Sequence, residues 1–116
     1  MDTKYQLPGG TTRSERSPLH HLVPPSGPRR IAQRFTLGAD THGVDNWKKS
    51  LGSEGDAAAF CQSAYDHMME HMLKMVALQD PEDDHLGAIG WAVCTLAHVE
   101  SLYGKKWTEL RPEATT

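Results

Sequence analysis

The sequence predicts an all-α fold: a small bundle of about three principal helices with an extended N-terminal arm, completed by oligomerisation. Three observations carry this. Apolar residues recur at three- and four-residue steps in three separate stretches. Helix-start and helix-stop residues flank those stretches. No run alternates apolar and polar residues as a half-buried strand does.

Residues 1–27 read as the extended arm. They hold Pro8, Gly9, Gly10, Pro18, Pro24, Pro25 and Gly27, a composition that supports neither a helix nor a core of its own. Leu19, Leu22 and Val23 are the anchors by which such an arm could lie across a partner subunit. The helical domain covers residues 28–104. Its first helix starts near Ser26 and Pro28, with Ile31, Ala32, Phe35 and Leu37 as its apolar side. Gly38 and Gly43 mark its end and the loop beyond. Residues 42–52 form a polar loop or a short helical turn.

Ser53 and Asp56 make a capping-box pattern. It opens an amphipathic helix of about 25 residues that ends around Gln79. Phe60, Ala64, Met68, Met72 and Met75 line one face, which fills the core or meets another subunit. Asp80 then caps a last helix whose first residue is Pro81. Glu82, Asp83 and Asp84 sit in its first turn, where the helix dipole favours anions. Leu86, Ile89, Gly90, Val93, Leu96 and Ala97 are its core side. The helix ends near Tyr103, with Gly104 as its stop. Residues 105–116 are a tail docked through Trp107.

A chain of 116 residues builds one domain with one modest core. A net charge of −3 argues against a bulk nucleic-acid binder, which is basic as a rule. Cys61 and Cys94 form no C-x-x-C pair, which suits a reducing cytosol with both thiols buried. No apolar run reaches the roughly 18 residues that span a membrane. The N-terminus lacks the apolar segment of a secretory signal. The expected location is the cytoplasm, without a membrane partner.

The chemistry concentrates in two short runs. His67, Glu70 and His71 lie in DHMMEHMLKM, and Asp83, Asp84 and His85 lie in DPEDDHLGAIGW. Helical spacing puts His67 and His71 one turn apart on one face. A short turn brings the start of the next helix near them. Imidazoles and carboxylates crowded in this way suit a metal or a phosphate. H-M-M-E-H also carries the letters of the zinc-protease motif H-x-x-E-H, but the chain is too small for a protease scaffold. Plain alternatives stand beside these. In these the histidines only hydrogen-bond to polar neighbours, and the acids only stabilise a helix N-terminus. Asp84 shares a face with Ala88 and Trp91, and a carboxylate buried there needs a partner. Asn46, Trp47, Lys48 and Lys49 could stack on a base and hold a phosphate; Trp47 could equally anchor its loop to the core.

The run VPPSGPRRIAQRFTLGADTHGVDNWKK resembles the opening of the phage-encoded dATP/dGTP diphosphohydrolase family. Val23, Pro24 and Pro25 stand at its Leu-Ile-Pro-Pro. Gly38 and Ala39 stand at its helix end, and His42 and Gly43 at its Tyr-Gly. Asn46, Trp47 and Lys49 stand at its Asn-Trp-x-Lys. Further on, His71, Asp84, His85, Leu86 and Trp91 fit the family's second block. The resemblance covers about residues 22 to 103. Ala92 departs from an asparagine and Glu70 from an arginine.

The family is similar to MazG-like helical pyrophosphohydrolases, which assemble as dimers or tetramers and hold Mg²⁺ on paired acids. The resemblance implies metal-dependent hydrolysis of a purine (deoxy)nucleoside triphosphate to monophosphate and pyrophosphate, in a host cytoplasm. This chain lacks the paired E-x-x-E and E-x-x-D acids. His67, Glu70, His71 and Asp84 are therefore the expected ligands of a divalent metal, Mg²⁺ or Mn²⁺, and imidazoles favour the latter. Glu70, His71, Asp84 and His85 are the expected catalytic residues. Asn46 and Trp47 are expected on the base or sugar and Lys49 on a phosphate. Two other functions compete: a non-catalytic phage protein that sequesters a nucleotide, and a purely structural helical oligomer.

Overall fold

The computed structural model describes residues 5–6, 8–10, 12–13 and 18–110. It is all-α, with three main helices. Among the described residues, the arm departs from a strandless chain. The short strands β1 (Tyr5–Gln6) and β2 (Thr12–Arg13) pair antiparallel, Tyr5 opposite Arg13. Gly9 and Gly10, both at positive φ, let the chain reverse between them.

Helix α1 (Ser26–His42) starts where expected but runs through Gly38. One interior glycine only weakens a helix, by about 1 kcal/mol. The stop comes at Gly43, at φ 98°, whose N–H returns to the Ala39 carbonyl at 2.9 Å. A 3₁₀ segment, Asn46–Leu51, follows. Ser53 caps α2 (Glu54–Val76), accepting the Asp56 N–H at 3.1 Å.

Helix α2 ends three residues before Gln79. The Gln79 N–H returns to the Lys74 carbonyl and the Leu78 N–H to Met75, with Leu78 at φ 56°. This is the Schellman closure, with leucine in the left-handed position that glycine usually fills. Asp80 is also left-handed, at φ 48°, so it cannot take the extended conformation of a helix cap. Pro81 instead follows it in a turn closed by the Asp83 N–H on the Asp80 carbonyl, at 3.0 Å. Helix α3 (His85–Tyr103) therefore begins one turn later than expected, capped by Asp84, and stops at Gly104.

Helix α3 packs against both α2 and α1. Small residues make the α2–α3 seam: Ala57, Cys61 and Ala64 on α2, with Ala88, Ala92, Thr95 and Val99 on α3, are all buried. Their alternating three- and four-residue steps bring the two helices close. Of the expected α3 face, Leu96 is buried but Leu86, Val93 and Ala97 are exposed; Met72 and Met75 on α2 are exposed as well and fill no core within one chain. Cys94 is exposed too, whereas Cys61 is buried, and burial pushes its thiol pKa up. The described part of the tail, residues 105–110, docks more fully than through Trp107 alone: Trp107 packs on Tyr65 and Leu110 is buried; residues 111–116 of the predicted tail lie outside the described residues. Among the described residues, no helix is long and apolar enough to cross a membrane.

Candidate functional site

The α2–α3 seam ends in imidazoles. Counting on from Ala57, Cys61 and Ala64 at the same steps reaches Met68 and His71. On α3, counting back from Ala92 and Ala88 reaches His85. Both histidines are thus pressed into the last layer of the packing, His71 at 4% and His85 at 7% exposure. Their Nδ1 atoms lie 2.8 Å apart. His85 Nε2 lies 2.9 Å from the Gln79 carbonyl oxygen, which the left-handed Leu78 helps to bring beneath it. His67, one turn back on α2, places its Nε2 3.1 Å from His71 Nε2.

The proton positions follow from the partners. A carbonyl only accepts, so His85 Nε2 carries a proton and its Nδ1 accepts from His71 Nδ1–H. His71 Nε2 is left as an acceptor. It faces His67 on one side and Arg34 Nη2, at 3.5 Å, on the other. Burial first, then His67 and Arg34, push the His71 pKa below its ordinary value, so its neutral form is favoured. Asp83 completes the group. Its Oδ2 lies 3.9 Å from His71 Nδ1, and its Oδ1 accepts from Arg34 Nη1 at 3.1 Å. That hydrogen bond holds the Asp83 carboxyl below its usual range.

His71, Asp83 and His85 each offer one ligand atom, and these atoms lie within 4.8 Å of one another. Two imidazoles and one carboxylate suit a transition ion better than Mg²⁺. His85 donating its Nε2–H to the Gln79 carbonyl, which leaves Nδ1 as its ligand atom, is the support that ligating histidines have as a rule. The donor set therefore fits a divalent cation.

Beside this group lies a cleft of about 520 Å³, within the range of small-molecule sites. Arg34, Leu37, Thr41 and His42 line it from α1, and Phe60, Ser63 and His67 from α2. Ala88 and Trp91 form its floor on α3. Arg34 and His67 belong both to the cleft and to the imidazole group.

The predicted residues divide accordingly. His67, His71 and His85 come together. Glu70 is exposed and outside the ligand group. Asp84 does not face the histidines: it caps α3 through the Gly87 N–H at 3.1 Å and pairs with Arg30. The Arg30 hydrogen bond, more than the Gly87 one, holds its pKa down. With α3 starting at His85, the acid facing the imidazoles is Asp83.

Asn46 and Trp47 line an adjoining cleft of about 320 Å³, which shares Gly38, His42 and Trp91 with the first. Trp47 is not an exposed stacking platform. It packs within 6.1 Å of Phe35, 5.9 Å of Phe60 and 5.4 Å of His98, ring centre to ring centre. Lys49 borders a third depression with Ser50 and Asp56. Ala92, where the resembling family has asparagine, is fully buried. Arg34 was the residue missed; Asp83 stands in the predicted run but reads from sequence as a first-turn acid rather than as a ligand. The readable signal was two arginines one helical turn apart, flanked by Ile31 and Phe35, matched by two adjacent aspartates.

The chain matches no known protein-family model, no curated protein and no solved structure.

Proposed function

We propose that the chain hydrolyses a purine (deoxy)nucleoside triphosphate, dATP- or dGTP-like, to monophosphate and pyrophosphate, using a divalent cation held by His71, Asp83 and His85. The single observation behind this is that an aromatic-walled cleft and an imidazole–carboxylate group share Arg34 and His67. Trp91 and Phe60 offer faces for a purine ring. Arg34 and His42 offer donors for phosphate oxygens. The cation would neutralise phosphate charge and acidify a bound water. In the reaction water adds to the α-phosphorus, the bond to the α–β bridging oxygen breaks, and pyrophosphate leaves with the electron pair. His67, at the boundary, would take the water's proton at Nδ1, its Nε2 being engaged by His71. Glu70 and Asp84 have no part in this chemistry. The proposal includes self-association as a dimer or tetramer and a cytoplasmic location, where nucleotides are found.

A second function, nucleotide binding without turnover, is favoured by a specific observation. The imidazoles and Asp83 already satisfy one another and Arg34, and no buried side-chain polar atom among the described residues lacks a partner. A panel of purine nucleotides with Mg²⁺, Mn²⁺ or chelator separates the two. The expected result is pyrophosphate and a purine monophosphate by anion-exchange chromatography, strongest with Mn²⁺ and lost with chelator. A thermal shift without product, indifferent to chelator, would establish binding alone. Neither signal would reject both.

A further inference from the structure

Arg34 occupies two places at once. Its guanidinium bonds to Asp83 Oδ1 and faces His71 Nε2, and the same side chain lines the 520 Å³ cleft. We propose that Arg34 is a phosphate-binding residue held in reserve. It neutralises Asp83 while no cation is bound, and turns to an anion in the cleft once His71, Asp83 and His85 hold one. This rests on the cation site proposed above.

Two consequences of cation binding push Arg34 the same way. The first is charge. With a cation on Asp83, the guanidinium becomes a second positive charge beside it, and like charges repel. The second is the ring proton of His71. Ligation through Nδ1 moves that proton to Nε2. Nε2–H then faces the Arg34 N–H at the present 3.5 Å separation, donor against donor. The cleft is the open side. Arg34 already lines it, Thr41, His42, Ser63 and His67 add polar groups, and no carboxylate is among its lining residues. An anion of the phosphate class fits that chemistry, and a guanidinium binds it in a two-pronged fork.

The test is Arg34→Gln in the full chain, titrated calorimetrically with MnCl₂ and then, loaded with Mn²⁺, with inorganic phosphate. The two affinities should move in opposite directions. Mn²⁺ should bind about three- to tenfold tighter, because its competitor for Asp83 is gone. Phosphate should bind about tenfold weaker or worse. Arg34→Lys, which keeps the charge without the fork, should bind Mn²⁺ as the wild type does and phosphate at an intermediate strength. An arginine with a merely structural role would loosen both ligands together, and that outcome overturns the proposal. Equal phosphate affinity in wild type and Arg34→Gln overturns it too, while leaving the cation site standing. Wild-type protein that binds no Mn²⁺ removes the cation site and this proposal with it.

Discussion

Asp84 accepts the Gly87 N–H and pairs with Arg30, and two substitutions separate those contributions. Asp84→Ala removes both and should lower stability by about 1 kcal/mol, the usual worth of a helix cap. Asp84→Asn keeps a good cap and loses only a part-exposed ion pair, so it should cost a small fraction of that. Urea denaturation measures both; an Asn variant as weak as the Ala one would make the ion pair the dominant contact. The same carboxyl sets an acid response. Its pKa is lower folded than unfolded, so its stabilisation is fully present above the unfolded value of about 3.9 and is lost as pH falls through the lower folded value. Asp84→Asn should therefore flatten the loss of stability in that window. Gly87 tightens the same corner: a Cβ there would strike the Asp84 side chain and come within 3.1 Å of the Arg30 carbonyl oxygen. At this scale the sequence showed that Asp84 needed a partner. It could not show that the partner was an arginine 54 residues away, because that pairing exists only once α1 lies on α3.

Helix boundaries were legible wherever a local signal decided them. Ser53, Gly43 and Gly104 did what their chemistry predicts. The boundary that moved was the α2–α3 turn, where Leu78 and Asp80 are both left-handed, a conformation that leucine rarely takes and does not advertise. That shift exchanged Asp84 for Asp83 beside the histidines. The helix faces were misread for another reason. Apolar size points to Met72, Val93 and Leu86, which are exposed, but the seam is built from alanine, cysteine and threonine, which let backbones approach. Followed through the small residues, the seam leads to His71 and His85 directly. The strained turn yields a prediction. Leu78 is 85% exposed at φ 56°, so Leu78→Gly should relieve left-handed strain with little packing lost. The expected gain is about 1 kcal/mol in a urea or thermal melt. A loss would mean that the Leu78 side chain is covered in solution.

Cover of that kind is the question at the scale of the whole molecule. The core is thin: its largest fully buried side chains are Val99, Thr95 and Cys61. Helix α3 carries one charged residue, Glu100, among its 19, and a helix apolar on nearly every side is as a rule enclosed. Yet Leu86 and Val93, two turns apart on one stripe, are each 54% exposed, and Ala97 continues the stripe. Leu73 and Val76 on α2 are more exposed still. The proposed self-association would use such surface, and Val93→Glu tests it. On a chain that stays monomeric, a charge at a half-exposed site changes stability by only about 0.5 kcal/mol. On a chain whose copies meet through α3, it buries a charge in an apolar contact, lowers the mass measured by light scattering to that of one chain, and abolishes any rise of melting temperature with concentration. The expected result is a wild-type multimer and a monomeric Val93→Glu variant. A wild type that scatters as one chain at every concentration would reject self-association and leave the α3 stripe open to solvent, without touching the cleft or the imidazole group, whose side chains all come from a single chain.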